Sequence, residues 1–116
     1  MRFAFYVSGA AKRLVKYLKA IEDNNVLKKI SFVISDSSEN KELEYILHKE
    51  NIKWIPVDLL QYNKTERSKI FSDILLKEMK AYNIDFLFVF GMRILSGELL
   101  NVYKNRIINF HPSILP

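Results

Sequence analysis

Asn109 and His111 stand two positions apart, after the apolar pair Ile107-Ile108 and before Pro112. An Asn side-chain amide can donate a hydrogen bond to an oxyanion as a carbonyl is attacked. An imidazole accepts and returns a proton near neutral pH. In an extended segment residues two apart point the same way, so both groups can face one carbonyl. The same residue types also suit a polar loop at the end of a strand. By type alone that plainer reading is favoured about two to one, because ionisable groups at functional sites are outnumbered by ordinary ones.

Two further stretches carry chemical potential. Ser8-Gly9-Ala10-Ala11 joins an apolar run to a helical pattern, where helix amides can cradle a phosphate and Lys12 or Arg13 can add charge. It is not a GxGxxG fingerprint, and taken alone it is better read as a tight strand-to-helix turn. Gly91-Met92-Arg93-Ile94-Leu95-Ser96 follows the most apolar run of the chain. Gly91 lets the backbone turn closely. Met92, Ile94 and Leu95 suit an apolar wall for a flat ring, with backbone groups reading its polar edge. Ile94 and Leu95 suit helix core equally well.

These stretches are spaced by elements that alternate in period. Residues 2–7, 30–34, 52–57, 85–90 and 106–109 read as strands. Residues 10–24, 39–50, 65–82 and 94–103 read as helices, with Leu14, Val15, Leu18 and Ile21 sharing one face of the first. Thr65 is placed to cap the longest helix. Pro56 has no N–H for a ladder, which puts the third strand at an edge. The run at 85–90 belongs inside the sheet. Strands alternating with helices, joined by right-handed crossovers, give an α/β Rossmann-like parallel sheet of order 3-2-1-4-5, with helices on both faces. All three chemical stretches then emerge at one carboxyl edge, beside the switch point between the first and fourth strands.

The totals narrow the field. A chain of 116 residues, 49% hydrophobic and 27% charged, describes one domain with one core. It has no cysteine and only two histidines, which argues against a thiol nucleophile, a disulfide framework or a zinc centre. No segment is long and apolar enough to span a bilayer, and the start is a poor signal peptide, so a cytoplasmic location is expected. The net charge of +5 is spread along the chain, a weak case for nucleic acid but compatible with a phosphorylated substrate. His48 reads as solvated and Trp54 as core.

Asn109-Phe110-His111-Pro112-Ser113-Ile114-Leu115-Pro116 resembles the Asn-x-His-x-Ser-Leu-Leu-Pro signature of formyltetrahydrofolate-dependent formyltransferases. Met92-Arg93-Ile94-Leu95, a short helix and then that signature are most similar to the phosphoribosylglycinamide branch. The resemblance implies a reaction in which a primary amine attacks the formyl carbon of formyltetrahydrofolate, without a metal. It casts Asn109 as the oxyanion donor, also touching the cofactor, and His111 as the proton shuttle. Met92, Arg93, Ile94 and Leu95 would line the pterin pocket, and Arg67 would contact the cofactor. Ser8, Gly9, Ala10, Ala11 and Lys12 would hold the substrate. The family's loop reads Gly-Asn-Gly-Ser-Asn, whereas Gly9-Ala10-Ala11-Lys12-Arg13 lacks those Asn and Ser donors. The family also has an aromatic residue between the glycine and the Met, where Gly91 here abuts Met92. Its catalytic Asp lies well downstream of the His motif. Residues 1–116 are therefore expected to be an amino-terminal part of a catalytic domain, inactive alone. The expected acceptor is glycinamide ribonucleotide in purine biosynthesis. An amino-sugar nucleotide, or a non-catalytic folate- or nucleotide-binding module, are the alternatives.

Overall fold

Strands and helices alternate as the periodicity requires. The computed structural model describes residues 1–21 and 24–110. It contains strand β1 (Phe3–Val7), helices α1 (Lys12–Ala20) and α2 (Asn24–Lys28), strand β2 (Ile30–Ser35), helix α3 (Lys41–Lys49) and strand β3 (Lys53–Pro56). Helix α4 (Arg67–Ala81), strand β4 (Phe86–Val89), helix α5 (Glu98–Val102) and strand β5 (Ile107–Asn109) complete it. The strands pair in parallel in the order β3-β2-β1-β4-β5. This is the predicted Rossmann-like order, with β3 and its Pro56 at one edge and β4 flanked on both sides.

Side chains alternate across the sheet and feed two cores. Ala4, Tyr6, Phe32, Ile34, Leu87 and Val89 face Phe71, Leu75 and Met79 of α4 and Leu99 of α5. Phe5, Val7 and Val33 face Leu14, Val15 and Leu18 of α1 and Leu43 and Leu47 of α3. On this second side the rings of Phe3, Phe5, Phe88, Phe90 and Phe110 line an open cavity of about 340 Å³. The Phe90 and Phe110 rings stack there, 4.8 Å apart and 5° from parallel.

Two helices differ from the periodic reading. The first ends at Ala20 rather than near 24, because Ile21 turns to an extended conformation (φ −70°, ψ 122°) and packs on the core. The short α2 then sets buried Leu27 against the base of β2. The last helix covers only Glu98–Val102, not 94–103. Gly97 (φ 76°, ψ −148°) breaks the backbone before it, a left-handed region that glycine enters readily. The third helix is capped by Asn40, whose side chain accepts from the Leu43 N–H at 3.1 Å. Thr65 does not cap α4; Glu66 holds that position without a side-chain bond. His48 is exposed as expected, and Trp54 is half-buried.

Phe71 is fully buried and its ring lies 4.6 Å from that of Tyr6. Phe71→Ala is expected to lower the unfolding free energy by about 3–5 kcal/mol. A urea midpoint within experimental error of the parent would refute this packing.

Candidate active site

Register decides which ends meet. Tyr6 pairs with Val89 and Val89 with Asn109, so the carboxyl ends of β1, β4 and β5 lie abreast. Adjacent strands are about 4.8 Å apart, which places Asn109 roughly 10 Å from β1. Ile107 packs on the α4 side of the sheet. Asn109, two residues on, shares that side and is exposed. The Phe110 N–H donates to the Val89 carbonyl at 2.8 Å, continuing the ladder past Asn109. His111 lies outside the described residues.

The centre of this edge is one carboxylate oxygen. Asp36, just beyond β2, accepts from the Tyr6 hydroxyl at 2.6 Å and the Ser8 hydroxyl at 2.9 Å through the same Oδ2. Nε of Arg93 lies 3.7 Å from that oxygen, and the Asp36 side chain is only 9% exposed. A charge so far from water is tolerable only when hydrogen-bonded and paired, and here it is both. The two hydroxyls in turn accept from the loop after β4: Met92 N–H to Ser8 at 2.9 Å, and Arg93 N–H to Tyr6 at 3.0 Å. Burial first, and then the hydrogen bond to Asp36, push the Tyr6 phenol well above its ordinary range.

Gly91 lies against the Tyr6 ring. A Cβ there would collide with the Cζ, Cε1 and Cε2 carbons of the ring, so only glycine fits. Downstream, the Ser96 N–H donates to Ser72 Oγ at 3.0 Å, and Ser72 is itself fully buried in α4. The loop is thus held at positions 92, 93 and 96. Between these anchors the two readings of Ile94 and Leu95 divide. Ile94 is 80% exposed and Met92 79%, as an apolar wall requires, whereas Leu95 packs into the α4-side core.

Arg67 and Arg93 come together. With Asp36, Ser37, Ser38, Asp58, Leu59 and Leu60 they line a pocket of about 270 Å³. Arg67 opens α4, and its Nε donates to the Tyr62 carbonyl at 3.0 Å, which fixes the side chain at the pocket wall.

The β1–α1 turn is less free than the sequence suggests. Ser8 directs its hydroxyl inward to Asp36. The Gly9 N–H donates to Ser37 Oγ at 3.0 Å. The Gly9 and Ala10 carbonyls accept from Asn40 Nδ2 at 3.1 and 2.9 Å. Gly9 and Ala11 have left-handed backbones (φ 56° and 49°), and Ala11 caps α1 with no side-chain hydrogen bond. Lys12 and Arg13 are exposed beside it. Sequence reasoning overlooked Tyr6, Asp36, Ser37, Asn40 and Ser72. Tyr6 reads as an ordinary core aromatic, and Asp36-Ser37-Ser38 as capping residues. A phenol within an otherwise hydroxyl-free buried strand was the available signal, since a buried hydroxyl needs a partner.

Comparison with known proteins bears on this edge directly. The model of the formyl transferase family matches residues 1–116. Phosphoribosylglycinamide formyltransferase of Bacillus subtilis (strain 168) is 22% identical over 99% of this chain and 57% of its own length. Formyltetrahydrofolate deformylase of the same organism is 29% identical over 99% of this chain and 36% of its own. Among solved structures, glycinamide ribonucleotide transformylase 1 from Symbiobacterium toebii superposes with a TM-score of 0.75 at 27% identity, over all of this chain and 53% of that one. The chain thus spans little more than half the length of these two formyltransferases and about a third of the deformylase.

Gly91→Ala is expected to destabilise the fold by about 1–3 kcal/mol through overpacking on Tyr6; an unchanged thermal midpoint would contradict the contact. The raised Tyr6 phenol also predicts an alkaline limit. The unfolded phenol ionises near pH ~10 while the folded one stays protonated, so this contribution is intact below ~10 and declines as pH rises further. Urea midpoints from pH ~8 to ~11 should show the decline, and Tyr6→Phe should flatten it.

Proposed function

The chain belongs to the formyl transferase family, and on that basis we propose that it forms the donor-side part of a site transferring a formyl group from formyltetrahydrofolate to a primary amine. One observation carries the reading: Asn109 ends β5 abreast of Val89 and on the α4 side, beside the anchored 91–96 loop. The amine attacks the formyl carbon, and the carbonyl oxygen takes up negative charge. The Asn109 amide donates to that oxygen. His111, two residues on, takes the proton from the amine and returns it to the departing folate nitrogen. Exposed Met92 and Ile94 offer apolar contact to the pterin. Arg67 and Arg93, sharing one pocket, offer positive charge to the rest of the donor.

Glycinamide ribonucleotide is the proposed acceptor, as the names of the formyltransferase relatives suggest. Its phosphate would meet the 8–12 turn, with Lys12 and Arg13 supplying charge in place of the absent Asn and Ser donors. That turn also favours a second reading. The Gly9 amide is already engaged by Ser37, which leaves less for a phosphate. A smaller acceptor, water included, would need none of it, and one relative is named a formyltetrahydrofolate deformylase.

Incubating the protein with formyltetrahydrofolate and, in parallel, glycinamide ribonucleotide, an amino-sugar nucleotide or no amine separates these readings. Formylated ribonucleotide, formed slowly, is the expected product; formate released equally without amine would establish hydrolysis, and the absence of both products at high protein concentration and long incubation would refute the proposal. The 116-residue polypeptide alone is expected to be slow. Asn109 is exposed there, and its hydrogen bond to an oxyanion weakens in contact with water. In an active preparation Asn109→Ala should lower kcat by about 10²–10³ with little change in KM; an effect confined to KM would remove it from the oxyanion role.

A further inference from the structure

The Tyr6 hydroxyl donates one hydrogen bond and accepts another, with the Ser8 hydroxyl also 3.4 Å away. It donates to Asp36 Oδ2 and accepts from the Arg93 N–H. Its ring is held from both sides, by Phe71 of α4 and by the bare Gly91 backbone. Tilting the phenol would press it on the Gly91 backbone or draw it away from Phe71. Ser8 makes the parallel connection, from the same carboxylate oxygen to the Met92 N–H. Three loops, after β1, β2 and β4, thus meet at one oxygen atom. The segment they hold is the one that carries exposed Met92 and Ile94 and, between its anchors, the backbone of Ile94 and Leu95.

We infer that Tyr6 is a positioning residue for the formyl-donor pocket: its hydroxyl, bridging Asp36 and the Arg93 amide, sets the height of the 92–95 backbone above the sheet, so that donor affinity depends on a group that does not touch the donor. The inference rests on the functional reading above. It assigns to Tyr6 a role distinct from filling the core, because the ring alone does that. The conservative variant Tyr6→Phe separates the two roles. It keeps the ring, its contact with Phe71 and its fit to Gly91, and removes only the oxygen. Arg93 N–H and Asp36 then each lose a buried partner, an effect worth about tenfold in local opening.

The test uses the natural polypeptide and its Tyr6→Phe form, with 5-formyltetrahydrofolate as an unreactive probe of the donor pocket. Amide hydrogen exchange is read at Arg93 and, for comparison, at Leu75 in α4. The expected result is exchange about tenfold faster at Arg93 with Leu75 unchanged, and a Kd for the probe weaker by a similar factor. In turnover, KM for the formyl donor should rise while kcat changes less than about twofold. A merely structural role would raise exchange at Leu75 as well and leave KM alone, and that pattern overturns the inference. So does unchanged exchange at Arg93, or faster exchange there with an unchanged Kd. Failure of the parent protein to bind the probe refutes the donor-pocket reading and the inference together, whereas binding by the parent with no response in Tyr6→Phe refutes the inference alone.

Discussion

The parallel pairing of β1 with β4 is the constraint on which the rest depends. Parallel neighbours cannot be joined by a hairpin; the chain must leave β1, build β2 and β3 on one side, and return through α4 before β4 can form. That detour creates a switch point between β1 and β4, where the connections diverge and a crevice opens at the carboxyl ends. It also brings Ser8 within hydrogen-bonding distance of the Met92 amide, 84 residues away in the chain. Loosening this pair separates the two loops that flank the candidate site.

The Asp36 cluster translates that pairing into a fixed loop. A buried carboxylate is a weak source of stability compared with an apolar residue of similar size. Its effect here is geometric. Oδ2 receives two hydroxyls from β1 and its following turn, those hydroxyls receive two amides from the loop after β4, and Arg93 approaches the same oxygen. Each amide is satisfied, as buried backbone groups must be. The loop from Gly91 to Ser96 therefore follows a defined path without any regular structure of its own.

Elements with strong periodicity were legible in the sequence. The apolar alternation of β1 and β2, the amphipathic α1, and the recurrence of Phe71, Leu75 and Met79 along α4 gave the strands, the helices and their order. Helix ends were less legible. Ile21 and Gly97 change the backbone at points where the hydrophobic pattern continues, and the choice there follows from packing on the sheet and from a hydrogen bond to Ser72. Ile94 and Leu95 show the same limit: the pattern allows both wall and core, and the anchors at 93 and 96 turn one residue outward and the other inward.

The sequence by itself determined the fold class, the strand order and the chemistry-bearing residue types, because hydrophobic period and the Asn109-x-His111 spacing are local properties of the chain. It could also mark Gly91 as a close turn. What only the tertiary structure decided is what lies against that turn. The Tyr6 ring occupies the space of the missing Cβ, its hydroxyl finds Asp36 and the Arg93 amide, and the Ser8 hydroxyl turns inward to the same carboxylate. These partners come from three separate strand ends, and register sets their distances. No local pattern encodes a contact that exists only once β1, β2 and β4 lie side by side.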